Sequence, residues 1–266
     1  MLIAQLSDIH VGGSRFEETL LATAIEEVNR EAPDLVVVAG DLTGGGYEDE
    51  FADAKTALAG FECDRVVIVP GNHDARNVGY LRFEEHFCER YTRHRFTCDG
   101  VDVALVATDT SKPDIDEGEI GRDRYPYIDE GFAGDAHLRV LVLHHHLVSI
   151  PGTGRERNQL LDAGDVLALA RDCCVDLVLA GHRHVPYVWP IAGMLIVHSG
   201  TASTRRVRRF PEPAYNLIRI DADAIGVELR VPGGRRLTLG HYPKRWPADL
   251  SGRRLDPFGG VGLIGR

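Results

Sequence analysis

The chain has 266 residues, of which 44% are hydrophobic and 26% are charged. This composition is typical of a globular protein and excludes disorder as the dominant state. Acidic residues outnumber basic residues by 40 to 30, which gives a formal net charge of -10. A surface for non-specific nucleic-acid binding would carry the opposite charge, so we do not expect nucleic acid as a partner. The arginine-rich residues 205–209 leave a local basic patch open.

The cysteines and the apolar runs indicate the cellular setting. The 5 cysteines are odd in number and contain no C-x-x-C pair, which argues against a disulfide framework and against a cysteine-type zinc site. No apolar run approaches the ~18 residues that span a bilayer. The first residues lead directly into the polar Ser7 and Asp8, without the charged and apolar regions of a signal peptide. We therefore expect a cytoplasmic protein with no membrane partner.

Short apolar runs alternate with amphipathic stretches from the first residues to Gly181. Strands that alternate with helices predict βαβ units and a layered α/β domain. The predicted strands are residues 2–6, 35–39, 66–69, 101–107, 140–143 and 177–180. The predicted helices are residues 16–30, 48–58, 80–90 and 165–173.

The pattern changes after Gly181, where short strands follow one another without helices. We expect these strands to form an antiparallel or mixed sheet that packs on the first part. They are residues 185–189, 194–198, 215–220 and 225–231. The simplest organisation is a domain of residues 1–231 with a C-terminal extension of residues 232–266. That extension is rich in Gly, Pro and Arg, and the sequence leaves open whether it wraps the domain or joins a homodimer.

Polar side chains follow five of the predicted strands at the point where each strand ends. In an open α/β sheet these ends face one crevice, so the segments are expected to meet in space. Single residues have structural alternatives, such as a helix cap for Asp8 or a turn at Asp41. The segments are Asp8-Ile9-His10, Gly40-Asp41-Leu42, Gly71-Asn72-His73-Asp74, His144-His145-His146 and Gly181-His182-Arg183-His184.

The side chains in these segments are imidazoles, carboxylates and an amide, which suit zinc, manganese or iron. They are more numerous than one ion needs, but they suit two ions that share a carboxylate. The sequence therefore predicts a site for two divalent or trivalent metal ions at the strand ends.

The five segments, in this order, resemble the motifs of the calcineurin-like metallophosphoesterases: D-x-H, G-D, G-N-H-D, a histidine at a strand exit, and G-H-x-H. The resemblance spans residues 1 to about 205 and implies an α/β fold, a four-layer α/β/β/α sandwich of two mixed sheets. The compact spacing is most similar to bacterial class III cyclic-nucleotide phosphodiesterases and glycerophosphodiesterases of this superfamily.

The resemblance also implies roles for individual residues. The first metal ion is held by Asp8, His10 and His184, and the second by Asn72, His144 and His182. Asp41 bridges the two ions. Relatives often have His-His-Pro where this chain has His144, His145 and His146. We choose His144 as the ligand because it follows the last buried strand residue, Leu143, and we keep His145 as the alternative.

By the same resemblance, His73 faces the substrate and donates a proton or hydrogen bond, and Asp74 orients it. A packing role for His73 and a helix-cap role for Asp74 are the structural alternatives. The implied activity is hydrolysis of a small phosphodiester, such as a cyclic nucleotide or a glycerophosphodiester, by a metal-bridging hydroxide. The alternatives are a phosphomonoesterase or protein phosphatase, a nuclease, and a metal-bound scaffold without catalysis.

Overall fold

The computed structural model describes residues 1–153, 158–207 and 210–243. The strands in these ranges are β1 (Leu2–Leu6), β2 (Leu35–Ala39), β3 (Val66–Val69), β4 (Tyr91–Cys98), β5 (Val101–Thr108), β6 (Leu138–Val142), β7 (Leu177–Ala180), β8 (Tyr187–Ile191), β9 (Met194–His198), β10 (Tyr215–Ile220), β11 (Ala224–Arg230) and β12 (Arg236–Pro243). The α-helices are α1 (Glu18–Glu31), α2 (Glu48–Leu58), α3 (Gly79–His86), α4 (Tyr125–Gly131) and α5 (Ala163–Asp172).

The strands form two mixed sheets of six strands each in the described ranges. The first has the order β12-β11-β10-β1-β2-β3, and the second has the order β4-β5-β6-β7-β9-β8. In the first sheet β1, β2 and β3 run parallel, whereas β10 pairs with β1 in the antiparallel sense. In the second sheet β5, β6, β7 and β9 run parallel, and β4 and β8 are antiparallel edge strands.

The two sheets pack face to face through apolar side chains, and helices cover both outer faces. Ile3 and Val37 of the first sheet share a buried cluster with Leu105 and Val140 of the second. Helices α1, α2 and α3 pack on the outer face of the first sheet. Helices α4 and α5 pack on the outer face of the second sheet. These layers confirm the predicted α/β/β/α sandwich.

The strands after Gly181 do not form a sheet of their own, so that expectation was wrong. Strands β8 and β9 extend the second sheet beside β7, and β10 to β12 extend the first sheet beside β1. Each sheet thereby gains the hydrogen-bond partners that the exposed edges of β1 and β7 would otherwise lack.

Among the strands and α-helices given above, three were not anticipated: β4, α4 and β12. Strand β12 lies after the boundary that we placed at residue 231, and it pairs with β11 as an edge strand. The rest of the predicted extension, residues 244–266, lies outside the described residues. No helix in the described ranges is both long enough and apolar enough for a membrane crossing.

Candidate metal centre

The seven side chains predicted as metal ligands meet at one edge of the sandwich. They lie in loops that follow β1, β2, β3, β6 and β7, and all of them are buried. Backbone hydrogen bonds tie these loops together: Asp8 N donates to Gly40 O over 2.9 Å, and Gly181 N donates to His144 O over 3.0 Å. The parallel strands therefore carry residues that are distant in sequence to one place.

A first group of ligand atoms comes from Asp8, His10 and His184, which all lie within 4.8 Å of one another. His184 Nε2 is 3.2 Å from Asp8 Oδ1. His10 Nε2 is 3.0 Å from His184 Nε2 and 3.6 Å from Oδ2 of Asp41.

A second group comes from Asn72, His144 and His182. Asn72 Oδ1 is 3.2 Å from His144 Nε2 and 3.0 Å from His182 Nδ1. The other carboxylate oxygen of Asp41, Oδ1, is 3.4 Å from His144 Nε2. Asp41 therefore presents one oxygen to each group, which is the position that a bridging carboxylate would occupy.

The chemistry of these atoms fits cations. Imidazole nitrogens face each other at 3.0 Å between His10 and His184 and at 3.3 Å between His144 and His182. Such pairs bring lone pairs together unless a proton or a cation lies between them. Asp8 Oδ1 is buried and accepts no hydrogen bond from a described residue. A buried polar atom of this kind needs a partner, and nitrogen and oxygen ligands without thiolate suit zinc, manganese or iron.

Hydrogen bonds from the surrounding backbone orient the imidazoles. His144 Nδ1 donates to Ala39 O over 2.7 Å, and His184 Nδ1 donates to Arg206 O over 2.6 Å. Donation through Nδ1 leaves Nε2 of each ring as the nitrogen that faces its group. These bonds fix both the tautomer and the direction of the ring.

The same geometry distinguishes His144 from its neighbour. His145 Nδ1 lies 2.7 Å from Thr110 Oγ1, and its Nε2 lies 3.1 Å from Asp116 O. Both ring nitrogens of His145 are therefore engaged away from the ligand atoms. The structure places His144, and not His145, against Asn72.

Five of the seven residues have backbone conformations in the left-handed region, which non-glycine residues seldom adopt. Their φ angles are +54° for Asp8, +55° for His10, +55° for Asp41, +75° for His182 and +54° for His184.

Two glycines allow the loops to approach the carboxylates. A Cβ atom at Gly71 would collide with Oδ1 and the backbone of Asp41. A Cβ atom at Gly181 would collide with the Ser7 hydroxyl. The Ser7 hydroxyl in turn donates to Asp8 Oδ2 over 2.7 Å, which leaves Oδ1 to face the first group.

Burial and charge set the protonation of the central pair. Burial opposes the charge on Asp41, but the imidazoles of His144, His73 and His10 outweigh it and hold the pKa of this carboxyl well below its ordinary value. Burial also opposes the charge on His144, yet Asp41 raises the pKa of its imidazole to about 9. A metal ion would have to displace that proton, because imidazole binds metals in its neutral form.

His73 lies beside the first group, with its ring edge-on to that of His10 at 4.6 Å between centroids. Its backbone N donates to Asp41 Oδ1 over 2.8 Å, and its Nδ1 donates to Gly44 O over 2.6 Å. No described residue hydrogen-bonds the other ring nitrogen. That nitrogen is available to a substrate.

The expectation that Asp74 orients His73 was wrong. Asp74 Oδ1 accepts from Thr43 N and Oγ1, both over 2.8 Å, and Oδ2 accepts from Leu42 N over 3.0 Å and Gly71 N over 2.9 Å. Asp74 therefore fastens the loop after β2 to the loop after β3. The carbonyl of Gly44 orients His73 instead.

Asp116, in the loop after β5, was not predicted as part of the site. Its Oδ1 accepts from Asn72 Nδ2 over 3.2 Å and from Arg76 Nη2 over 2.5 Å. Asp116 belongs to a short acidic run and to none of the five motif segments. The sequence therefore carries no signal that would have singled it out.

A cleft of about 360 Å³ opens beside the first group. Both His10 and His73 line it, together with Arg15 and Arg206. The cleft gives solutes access to the side of the site on which His73 stands.

A fold of this kind, with candidate metal ligands gathered at one edge, is that of a class of metallohydrolases. Residues 1–186 match the family model for calcineurin-like phosphoesterases, and the chain belongs to that family. The chain is accordingly a metal-dependent phosphoric ester hydrolase.

The sequence identity to individual relatives is low. The chain is 27% identical over 279 residues to a probable cyclic nucleotide phosphodiesterase of Rhodococcus erythropolis, in an alignment that covers 97% of this chain and 91% of that protein. It is 24% identical over 156 residues to a probable glycerophosphodiester phosphodiesterase, GpdQ, of Arcobacter nitrofigilis, and this alignment covers 55% and 57% of the two chains. A dimetal phosphatase of Danio rerio has a similar fold, with a TM-score of 0.67, 14% identity and coverage of 91% and 99%.

Proposed function

We propose that the chain hydrolyses small phosphodiesters with two metal ions bound at the site described above. The observation that carries this proposal is the position of Asp41, which presents Oδ2 to His10 and Oδ1 to His144. In the proposal Asp8, His10 and His184 of the first group hold one ion, and Asn72, His144 and His182 of the second group hold the other. Asp41 contributes one oxygen to each.

When bound, the two ions would supply Lewis acidity, which lowers the pKa of water and neutralises charge on the phosphoryl oxygens. The protein's own residues hold the cations and orient their ligand atoms. Asp8 and Asp41 supply the negative charge that holds the cations, and the imidazoles are held with their ligand nitrogens inward by backbone carbonyls. The buried setting strengthens each of these electrostatic interactions.

His73 is proposed as the group that hydrogen-bonds the substrate and protonates the leaving alcohol. Gly44 O fixes one ring nitrogen, and the other faces the cleft beside the first group. A positioned acid of this kind contributes roughly 10²–10⁴-fold to a rate. Asp74 supports the loops and has no role in proton transfer in this proposal.

A diester substrate is favoured by the relatives, two of which are named as phosphodiesterases. The Rhodococcus protein matches along most of its length, so its name, which refers to cyclic nucleotides, makes them one candidate substrate. Glycerophosphodiesters are the other candidate, from a relative that matches over about half its length.

The test is turnover of bis-p-nitrophenyl phosphate and of p-nitrophenyl phosphate by protein loaded separately with manganese, iron or zinc. We expect faster hydrolysis of the diester. A clear preference for the monoester would replace the proposal with a phosphomonoesterase. If neither ester is hydrolysed with any metal, the chain is a metal-bound scaffold and the proposal is wrong.

We also propose a cytoplasmic location, because no disulfide joins the five cysteines and such thiols are typical of reducing compartments. The native metals and a homodimer stay predictions. Metal analysis and the mass of the protein in solution would test them.

A further inference from the structure

Two arginines in the cleft beside His73 carry charges that no described carboxylate neutralises. Arg15 and Arg206 both line the cleft, and neither forms an ion pair within the described ranges. The chain as a whole has a net charge of -10, so two unpaired cations at this cleft concentrate positive potential at one place.

Two other described arginines near the cleft are paired with carboxylates. Arg76 forms an ion pair with Asp116. Arg205 forms a bidentate ion pair with Glu17, in which Arg205 Nη2 lies 3.1 Å from Glu17 Oε2. Arg15 and Arg206 differ from them in having guanidinium groups that are available to a ligand.

Backbone pairing positions the two free arginines on neighbouring segments. Arg205 N donates to Arg15 O over 3.2 Å, and Phe16 forms an isolated antiparallel bridge with Thr204. The carbonyl of Arg206 accepts from His184 Nδ1, so this wall of the cleft is fixed to the first group of ligands.

The cleft lies on the side from which the leaving alcohol would depart. His73 lines it, and the proposed function assigns to His73 the proton that the leaving oxygen takes. A volume of about 360 Å³ is enough for a leaving group of the size of a nucleotide or smaller. Any anionic substituent on that alcohol would therefore lie near the two guanidinium groups.

We infer that the cleft binds the leaving alcohol and that Arg15 and Arg206 bind a phosphate monoester carried on it. The preferred substrate is then a phosphodiester with a second phosphate on its leaving side. Guanidinium groups suit this task because they bind phosphate with paired hydrogen bonds. This inference rests on the proposed function and specifies its substrate class.

The reaction itself is unchanged by the second phosphate. The bond from phosphorus to the leaving oxygen breaks, a bond from phosphorus to the oxygen of water forms, and the leaving oxygen takes a proton. The second phosphate stays on the released alcohol and acts only in binding.

A matched pair of dinucleotides tests the inference: adenylyl-(3′→5′)-adenosine and the same compound with a 5′-phosphate. When the 3′-oxygen leaves, the first gives adenosine and one 5′-AMP, and the second gives two molecules of 5′-AMP, because the hydrolysed phosphate stays on the other nucleoside in both. The leaving alcohols, adenosine and 5′-AMP, then differ only by the phosphate. Chromatography separates AMP from adenosine and from inorganic phosphate. We expect the phosphorylated compound to have a kcat/KM about 10–100-fold higher, as charge-assisted hydrogen bonds of about 1.5–3 kcal/mol would give.

Single substitutions test whether the preference for the phosphorylated dinucleotide depends on these two arginines. Arg15→Ala and Arg206→Ala should each lower the ratio of the two kcat/KM values about 10-fold, mainly through KM. The Arg206 variant keeps the backbone carbonyl that His184 uses. Arg205→Ala is the matched control, because its guanidinium is engaged by Glu17, and it should leave the ratio unchanged.

Two outcomes would overturn the inference alone: a ratio near one in the unmodified protein, with both dinucleotides and bis-p-nitrophenyl phosphate hydrolysed, or an equal loss of the ratio in Arg205→Ala. Absence of turnover with every diester would instead overturn the proposed function, and this inference with it.

Discussion

The side-chain amide of Asn72 donates a hydrogen bond from Nδ2 to Oδ1 of Asp116 over 3.2 Å. This bond decides which end of the amide points inward, because it leaves Oδ1 of Asn72 towards His144 and His182. The imidazole of His145, at 3.1 Å from Asp116 O, holds the loop in place. His145 therefore acts on the second group indirectly, through Asp116 and Asn72, whereas His144 is a member of that group.

Replacing Asp116 with alanine should weaken binding at the second group, because the Asn72 amide is then free to rotate. We expect the affinity for one of the two metal ions to fall about 10–100-fold, as for other residues that orient metal ligands. Metal titration followed by mass spectrometry of the retained ions measures this. Asp114→Ala is the control, since Asp114 is on the same loop and, among the described residues, accepts a hydrogen bond only from Asn77 N, over 3.0 Å. Equal metal affinity in both variants would contradict the role of Asp116.

Replacing Asp41 with alanine should remove activity and lower metal content. This carboxylate faces both groups, so its loss affects both ions rather than one. Thermal unfolding should show that the variant is folded, and elemental analysis should show fewer than two ions per chain. Full metal occupancy together with unreduced turnover would refute the assignment of Asp41 as the shared ligand.

Replacing His73 with glutamine should lower the rate and leave both metal ions in place. We expect a loss of about 10²–10⁴-fold in kcat, the range for a positioned acid. Rate and metal content are measured on the same preparation. Loss of a metal ion would place His73 among the ligands, a role that its ring distance of 4.6 Å from His10 makes geometrically accessible.

His198 is expected to make stability pH-dependent. It is fully buried, and neither ring nitrogen has a hydrogen-bond partner in the described ranges. Burial, with a smaller contribution from His146, lowers the pKa of its imidazole from 6.5 to about 3. Between these values the unfolded chain binds the extra proton, so the contribution is complete above pH 6.5 and is lost as the pH falls towards 3.

The measurement is urea unfolding of metal-free protein at about pH 7.5 and about pH 5. The unmodified protein should lose about 2 kcal/mol more on acidification than His198→Leu, at about 1.4 kcal/mol for each pH unit below the ordinary pKa. Leucine has a similar volume and no proton to bind. The same loss in both proteins would show that His198 is not buried in its neutral form.

The parallel strands were predictable because each is a short apolar run with one possible place in a layered fold. β1, β2, β3 and β7 have the predicted bounds; the side chains of β1, β2 and β7 are all buried, and those of β3 alternate between buried and half-buried, which explains their apolar signal. Strand β4 was missed because it is half-exposed and carries arginine and histidine among its apolar residues. The allocation of β8 to β12 to two sheets depends on long-range pairing, of which a local pattern gives no sign.

The same distinction holds for the candidate site: some of its residues could be predicted from the sequence and others could not. Residues at strand ends, such as Asp8 and His182, could be grouped because the ends of parallel strands share one edge. Partners from loops could not, because their contacts depend on backbone paths. Gly44 O and Asp116 reach His73 and Asn72 from such loops, and Asp74 turns away from the imidazole next to it in sequence.

The left-handed backbone of the candidate metal ligands has a consequence for engineering. A non-glycine residue in this region costs on the order of 1–3 kcal/mol, and Asp8, His10, Asp41, His182 and His184 all adopt it. The substitution His10→Gly would relieve that cost and remove the imidazole. In the absence of metal, His10→Gly should therefore melt at a higher temperature than His10→Ala. Selection for thermal stability alone would therefore favour loss of these five residues. Directed evolution of a more stable variant needs a simultaneous screen for turnover.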